Sequence, residues 1–149
     1  MKKLALVIGV LLLLAIVLPA AASSTPGPST KATSNGYLFY GGVKWWSRVI
    51  KAYDSKNSGV SGSWKEVDSA SGSGFTAMVT SLEVTGNTAL VEGIITDPIS
   101  SAGREVCVKM TDNGDGKGAI DKMTATHYAW NCETDTNFYD FIGTITVVT

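Results

Sequence analysis

The chain has 149 residues, of which 17% are charged, and a formal net charge of −1. That length holds one domain with a modest core, and the slightly acidic balance excludes the basic footprint of a nucleic-acid binder. One histidine and two cysteines are too few for a zinc site of the usual four-ligand kind.

Lys2 and Lys3 precede an apolar run over residues 4–18, which Pro19 and the small residues Ala20, Ala21 and Ala22 bring to an end. This is the layout of a secretory signal peptide over residues 1–22. It predicts an exported, extracellular protein whose mature form starts at Ser23 and carries a net charge of −3 once both lysines are removed. An uncleaved membrane anchor is the competing reading, because the apolar stretch approaches the length that spans a bilayer. Residues 23–36 (SSTPGPSTKATSNG) hold almost no large apolar side chain. Such a segment buries too little surface to offset its ordering entropy, so a flexible tether is expected. Residues 37–149 then form the single folded domain.

Within that domain, residues 37–40 (YLFY) read as a first short strand that ends at Gly41-Gly42. Residues 43–53 (VKWWSRVIKAY) fit a helical stripe or a strand, and their aromatic and β-branched content favours the strand. Residues 54–59 turn, and 60–67 (VSGSWKEV) form a strand in which Gly62 marks a bend or bulge. After a loop at 68–74, residues 75–85 and 88–96 form a hairpin around Gly86-Asn87, a pair suited to the positive φ of primed turns. Pro98 ends the return strand. Strands at 104–111, 119–130 and 138–148 follow, separated by the turn DNGDGKG at 112–118 and a loop at 131–137. The pattern predicts an all-β fold of about eight strands with short connections, hence an antiparallel up-and-down β-barrel, with a β-sandwich as the alternative. Closure favours the barrel because it leaves no exposed edge.

Residues 79–93 (VTSLEVTGNTALVEG), the turn-bearing 112–121 (DNGDGKGAID) and the closing 143–147 (GTITV) resemble the post-COAP-type modules of secreted bacterial proteins. The resemblance covers roughly residues 60–149 and implies a small β-barrel in an exported protein, with no catalytic residues to carry over. The two cysteines and the insertion at 132–137 depart from that pattern.

Cys107 and Cys132 are the only cysteines. In an exported chain such a pair is expected to bridge, closing a loop of about 25 residues worth roughly 3 kcal/mol; two buried free thiols are the alternative. Asp112, Asp115 and Asp121 could offer hard oxygen ligands to calcium. Set on an EF-hand loop starting at Asn113, however, Lys117 falls on a ligand position and Thr124 replaces the bidentate glutamate. A turn that uses Asp, Asn and Gly for its geometry is the favoured reading, with no metal and no cofactor. His127 lies within THYAW, and no G-x-S-x-G element is present, so it reads as structural. Glu83 and Glu92 flank the Gly86-Asn87 turn, where a cross-strand pair of carboxylates could suit glycoside hydrolysis, although so small a domain implies no deep cleft and exposed strand faces carry such acids routinely.

The aromatic residues carry the functional expectation. Trp45 and Trp46 are adjacent, so on a strand they face opposite sides, and one must leave the core. Lys44 and Arg48 flank them. A basic rim around an aromatic platform suits an acidic glycan or an anionic protein surface. Exported, non-enzymatic binding or structural work is therefore expected. A lipocalin-like carrier of a small apolar ligand and a small secreted hydrolase are the alternatives. Large side chains at both alternating sets of strand positions argue for a filled barrel, and missing catalytic signatures argue against the hydrolase.

Overall fold

A computed structural model describes residues 29–128 and 132–149. The leader, residues 23–28 of the expected tether, and Trp130 lie outside the described residues. No helix among the described residues is long and apolar enough to cross a membrane.

The first strand, β1 (Thr30–Tyr40), starts seven residues earlier than expected, so residues 30–36 are not a tether. The composition concealed a strand because its inward row is small: Ala32 and Ser34 are buried, while Lys31 and Thr33 alternate with them. Then follow β2 (Val43–Ser55), β3 (Gly59–Asp68), β4 (Gly74–Thr85), β5 (Thr88–Asp97), β6 (Glu105–Thr111), β7 (Asp121–Thr124), β8 (His127–Tyr128) and β9 (Phe138–Val148). Every pairing is antiparallel. Each strand from β1 to β6 pairs with the next, and β9 pairs with both β7 and β1. Eight strands thus close into an up-and-down barrel, and β8 is an extra rung on β6. The sandwich alternative is set aside.

Two details differ from the sequence reading. Gly62 causes no bulge against β2, whose register runs unbroken through Ala52 opposite Gly62. The glycine is there for close approach, since a Cβ would lie 2.0 Å from the Lys51 carbonyl oxygen. The expected strand 119–130 is broken into β7 and β8, because groups between them turn inward to an arginine described below.

Inside, Leu38, Ile50, Trp64, Val91, Met110, Met123 and Phe141 are buried in one cluster. An eight-stranded barrel is narrow enough for side chains to fill, and this one is filled. Closure occurs where Gly36 of β1 faces Gly143 of β9. A Cβ on Gly143, where φ is +153°, would lie 2.3 Å from the Asn35 carbonyl oxygen, and one on Gly36 would lie 2.4 Å from that of Ile142. The ring of Phe141 also closes over Gly36. The last strand can reach the first only because both positions lack a side chain.

We expect Gly143→Ala to destabilise the barrel by about 2 kcal/mol. Gly116→Ala, in a loop where a Cβ meets nothing within 4 Å, should change stability by no more than about 0.5 kcal/mol. Urea unfolding of both variants checks this, and equal stability would show that the seam tolerates a side chain.

Candidate functional site

The strand order divides the connections between two ends. The turns at 41–42 and 69–73, the segment 98–104 and the connection 125–137 share one end, here the mouth; those at 56–58, 86–87 and 112–120 share the other, the base.

Arg48 lies in the lumen near the mouth. On β2, Trp46, Arg48, Ile50 and Ala52 share the inward row, and Arg48 is 0% exposed. The arginine was expected on a basic surface rim, and the structure corrects this. Its Nε donates to Glu66 Oε2 at 2.7 Å, one terminal nitrogen donates to the Thr124 carbonyl oxygen at 2.7 Å, and the other donates to Thr126 Oγ1 at 2.7 Å. Thr126 donates its hydroxyl to the same Glu66 oxygen. Burial lowers the Arg48 pKa, with the Glu66 charge and hydrogen bond acting against it. The network joins β2 and β3 to the far wall at β7, and it occupies the groups that would otherwise have continued β7 into β8.

Four rings cluster outside this plug. Trp45 faces outward at 36% exposure and Trp46 faces inward, half-buried over Arg48 with 5.8 Å from ring centroid to guanidinium. Ring centroids lie 4.9 Å apart for Trp45 and Trp46, 5.0 Å for Tyr40 and Trp45, 5.5 Å for Tyr40 and Tyr139, and 5.8 Å for Trp45 and Tyr139. Such tilted and edge-on contacts are favourable for aromatic pairs. Tyr40 is 56% exposed. Lys44 remains on the surface with its ammonium 4.0 Å over the Tyr37 ring. A groove of about 500 Å³ adjoins the cluster, lined by Phe39, Tyr40, Asn137, Phe138, Tyr139 and Asp140. The β1–β2 hairpin sets Tyr40 beside Trp45, whereas only closure of β9 onto β1 brings Tyr139 to them.

The connection 132–137 is held at several points. Cys107 and Cys132 are bridged. The Lys109 ammonium donates to the carbonyl oxygens of Glu133 and Asp135, and His127 Nε2 meets Asp135 Oδ2 at 2.5 Å. His127 thus serves this loop, beside the disulfide on β6. Burial would raise the Asp135 pKa, but hydrogen bonds from the Asn137 amide and His127, with the histidine charge, bring it below the ordinary 3.8.

At the base, two of the three calcium candidates are committed to the backbone. Asp112 accepts from the Gly114 and Val147 amides, and Asp121 accepts from those of Asn113 and Ile145. These carboxylates serve the β9 amides beyond the short β7 ladder. Asp115 is exposed. Among the described residues no group of three or more His, Cys, Asp or Glu side chains is placed to hold a metal ion. Glu83 and Glu92 are not cross-strand partners: Glu83 faces Leu90, and Glu92 faces Ser81.

Two outcomes are expected. Arg48→Met strands a buried carboxylate and should cost about 3–5 kcal/mol, whereas Arg48→Met with Glu66→Leu should recover most of that loss. A double variant as unstable as the single one in chemical denaturation would count against the plug. Asp135 has a depressed pKa in the folded chain, so its contribution is complete above its unfolded value and is lost as pH falls through the folded one. Below about pH 4 the melting temperature of the parent chain should therefore fall more steeply than that of Asp135→Asn, and parallel curves would exclude the role.

Comparison with protein-family models, with curated proteins and with solved structures finds no match to this chain.

Proposed function

We propose that the chain is an exported, non-enzymatic β-barrel module that recognises a glycan outside the cell through the aromatic surface at its mouth. The observation that carries the reading is the exposure of Tyr40 and Trp45 at the edge of a four-ring cluster. Exposed, adjoining large aromatic rings are unusual on a soluble surface unless something covers them, and amphipathic rings suit ligands with one apolar and one wet face. A sugar ring is such a ligand. The neighbouring groove adds Asn137 and Asp140, whose amide and carboxylate can meet hydroxyl groups. Lys44 supplies a cation for an acidic sugar, and it does so alone, because Arg48 points into the lumen. Export is supported by the charged and apolar leader and by the disulfide, which persists in oxidising compartments. The filled lumen leaves little to recommend a lipocalin-like carrier.

The test is retention of the folded chain on immobilised extracellular and cell-wall polysaccharides, measured beside thermal stability. Trp45→Ala and Tyr40→Ala should each lower retention at least about fivefold, as truncating a buried aromatic anchor does, with the melting temperature nearly kept. Retention unchanged in both variants refutes the reading.

A further inference from the structure

The mouth contains a second feature that the glycan reading does not use. A pocket of about 290 Å³ opens over the Arg48–Glu66 plug, between the loop 69–73 and the segment 98–104. We infer that this pocket binds a small free organic cation of the alkylated-ammonium class, at a site separate from the Tyr40–Trp45 surface.

The walls supply the first argument. Trp46, Phe75 and Tyr128 contribute three aromatic rings, and the charged lining residues are Glu66 and Asp68, with no lysine, arginine or histidine among them. Aromatic faces together with carboxylates are what a desolvated ammonium requires. Glu66 is 6% exposed yet lines the pocket, so its charge sits in a low-dielectric wall where it acts strongly. Arg48 neutralises part of it, but the arginine is fully buried and lies outside the lining, with each nitrogen bonded to Glu66, Thr124 or Thr126.

Hydrogen bonds hold both carboxylates in place with one oxygen each. Asp68 Oδ1 accepts from the Ala70 amide at 2.9 Å, the Ser71 amide at 2.7 Å and the Ser71 hydroxyl at 3.0 Å. Those same bonds, the Ser71 amide first, depress the Asp68 pKa and keep it ionised. Glu66 Oε2 already takes two donors. Ionised carboxylates set beside three aromatic rings favour an alkylated ammonium over a neutral polyol. The volume, at the small end for ligand pockets, excludes a long acyl chain. Just outside the lining, the Arg104 guanidinium stands 4.3 Å over the Tyr128 ring, the kind of contact proposed for the ligand.

The test titrates the folded chain with choline and with its uncharged isostere 3,3-dimethylbutan-1-ol, followed by Trp fluorescence and calorimetry. Choline should bind saturably and at least about tenfold more tightly than the isostere. Asp68→Asn, which keeps the Oδ1 acceptor, and Tyr128→Leu should each weaken choline at least about fivefold with the melting temperature held. Tyr40→Ala should leave choline binding unchanged, so failure of this site and failure of the glycan surface are distinguishable. Equal affinity for the isostere, no saturable choline binding, or binding to phosphatidylcholine vesicles without binding of free choline each overturns the inference. If Asp68→Asn lowers the melting temperature, Tyr128→Leu alone decides.

Discussion

A fully buried arginine is the constraint around which the mouth of this barrel is arranged. A guanidinium removed from water is costly unless each nitrogen finds a partner. Arg48 meets that demand by bonding to Glu66, its cross-strand neighbour on β3, and by reaching across the lumen to the Thr124 carbonyl and the Thr126 hydroxyl. The chain between β7 and β8 must bend inward to serve it, so the strand expected there is interrupted. The same ion pair shapes the floor of the mouth pocket through Glu66, and the Arg48 guanidinium lies beneath the Trp46 ring.

The two ends of the barrel are stabilised differently. At the base, β7 is only four residues long, and the β9 amides beyond it bond to the Asp112 and Asp121 carboxylates. An acidic turn that looks like a metal loop thus does the work of a missing strand. The mouth has aromatic packing, an internal ion pair and connections pinned by side chains, which leaves its outer rings available for contact.

Rigidity at the mouth matters for recognition, because ordering a loop on binding subtracts from affinity. The connection 132–137 is already ordered by the disulfide, Lys109 and His127. The loop after β3 is ordered by Asp68, and the Ser69 amide also donates to the Trp45 carbonyl oxygen at 2.8 Å. Both proposed surfaces therefore rest on preformed backbone.

Much of the fold was legible in the sequence. Alternation and turn residues placed β2 to β6 and β9 within a residue or two, because period-2 patterning and Gly-containing turns are local signals. The even cysteine count anticipated the bridge, and adjacency of Trp45 and Trp46 required that one face outward. The small inward residues of β1 hid a strand, since hydrophobic patterning cannot register a row of Ala and Ser whose burial comes from their partners. Arg48 carried a readable signal, its shared parity with Trp46, Ile50 and Ala52, but charge alone argued for the surface. The β2–β3 hairpin register sets Glu66 opposite Arg48 and the β1–β2 hairpin sets Tyr40 beside Trp45, but only the tertiary structure decided that Thr124 and Thr126 would complete the arginine's partners, that β9 would return beside β1 through the facing glycines, and that Tyr139 would join the aromatic cluster. Those outcomes depend on closure of the barrel, which brings together residues that no local spacing relates.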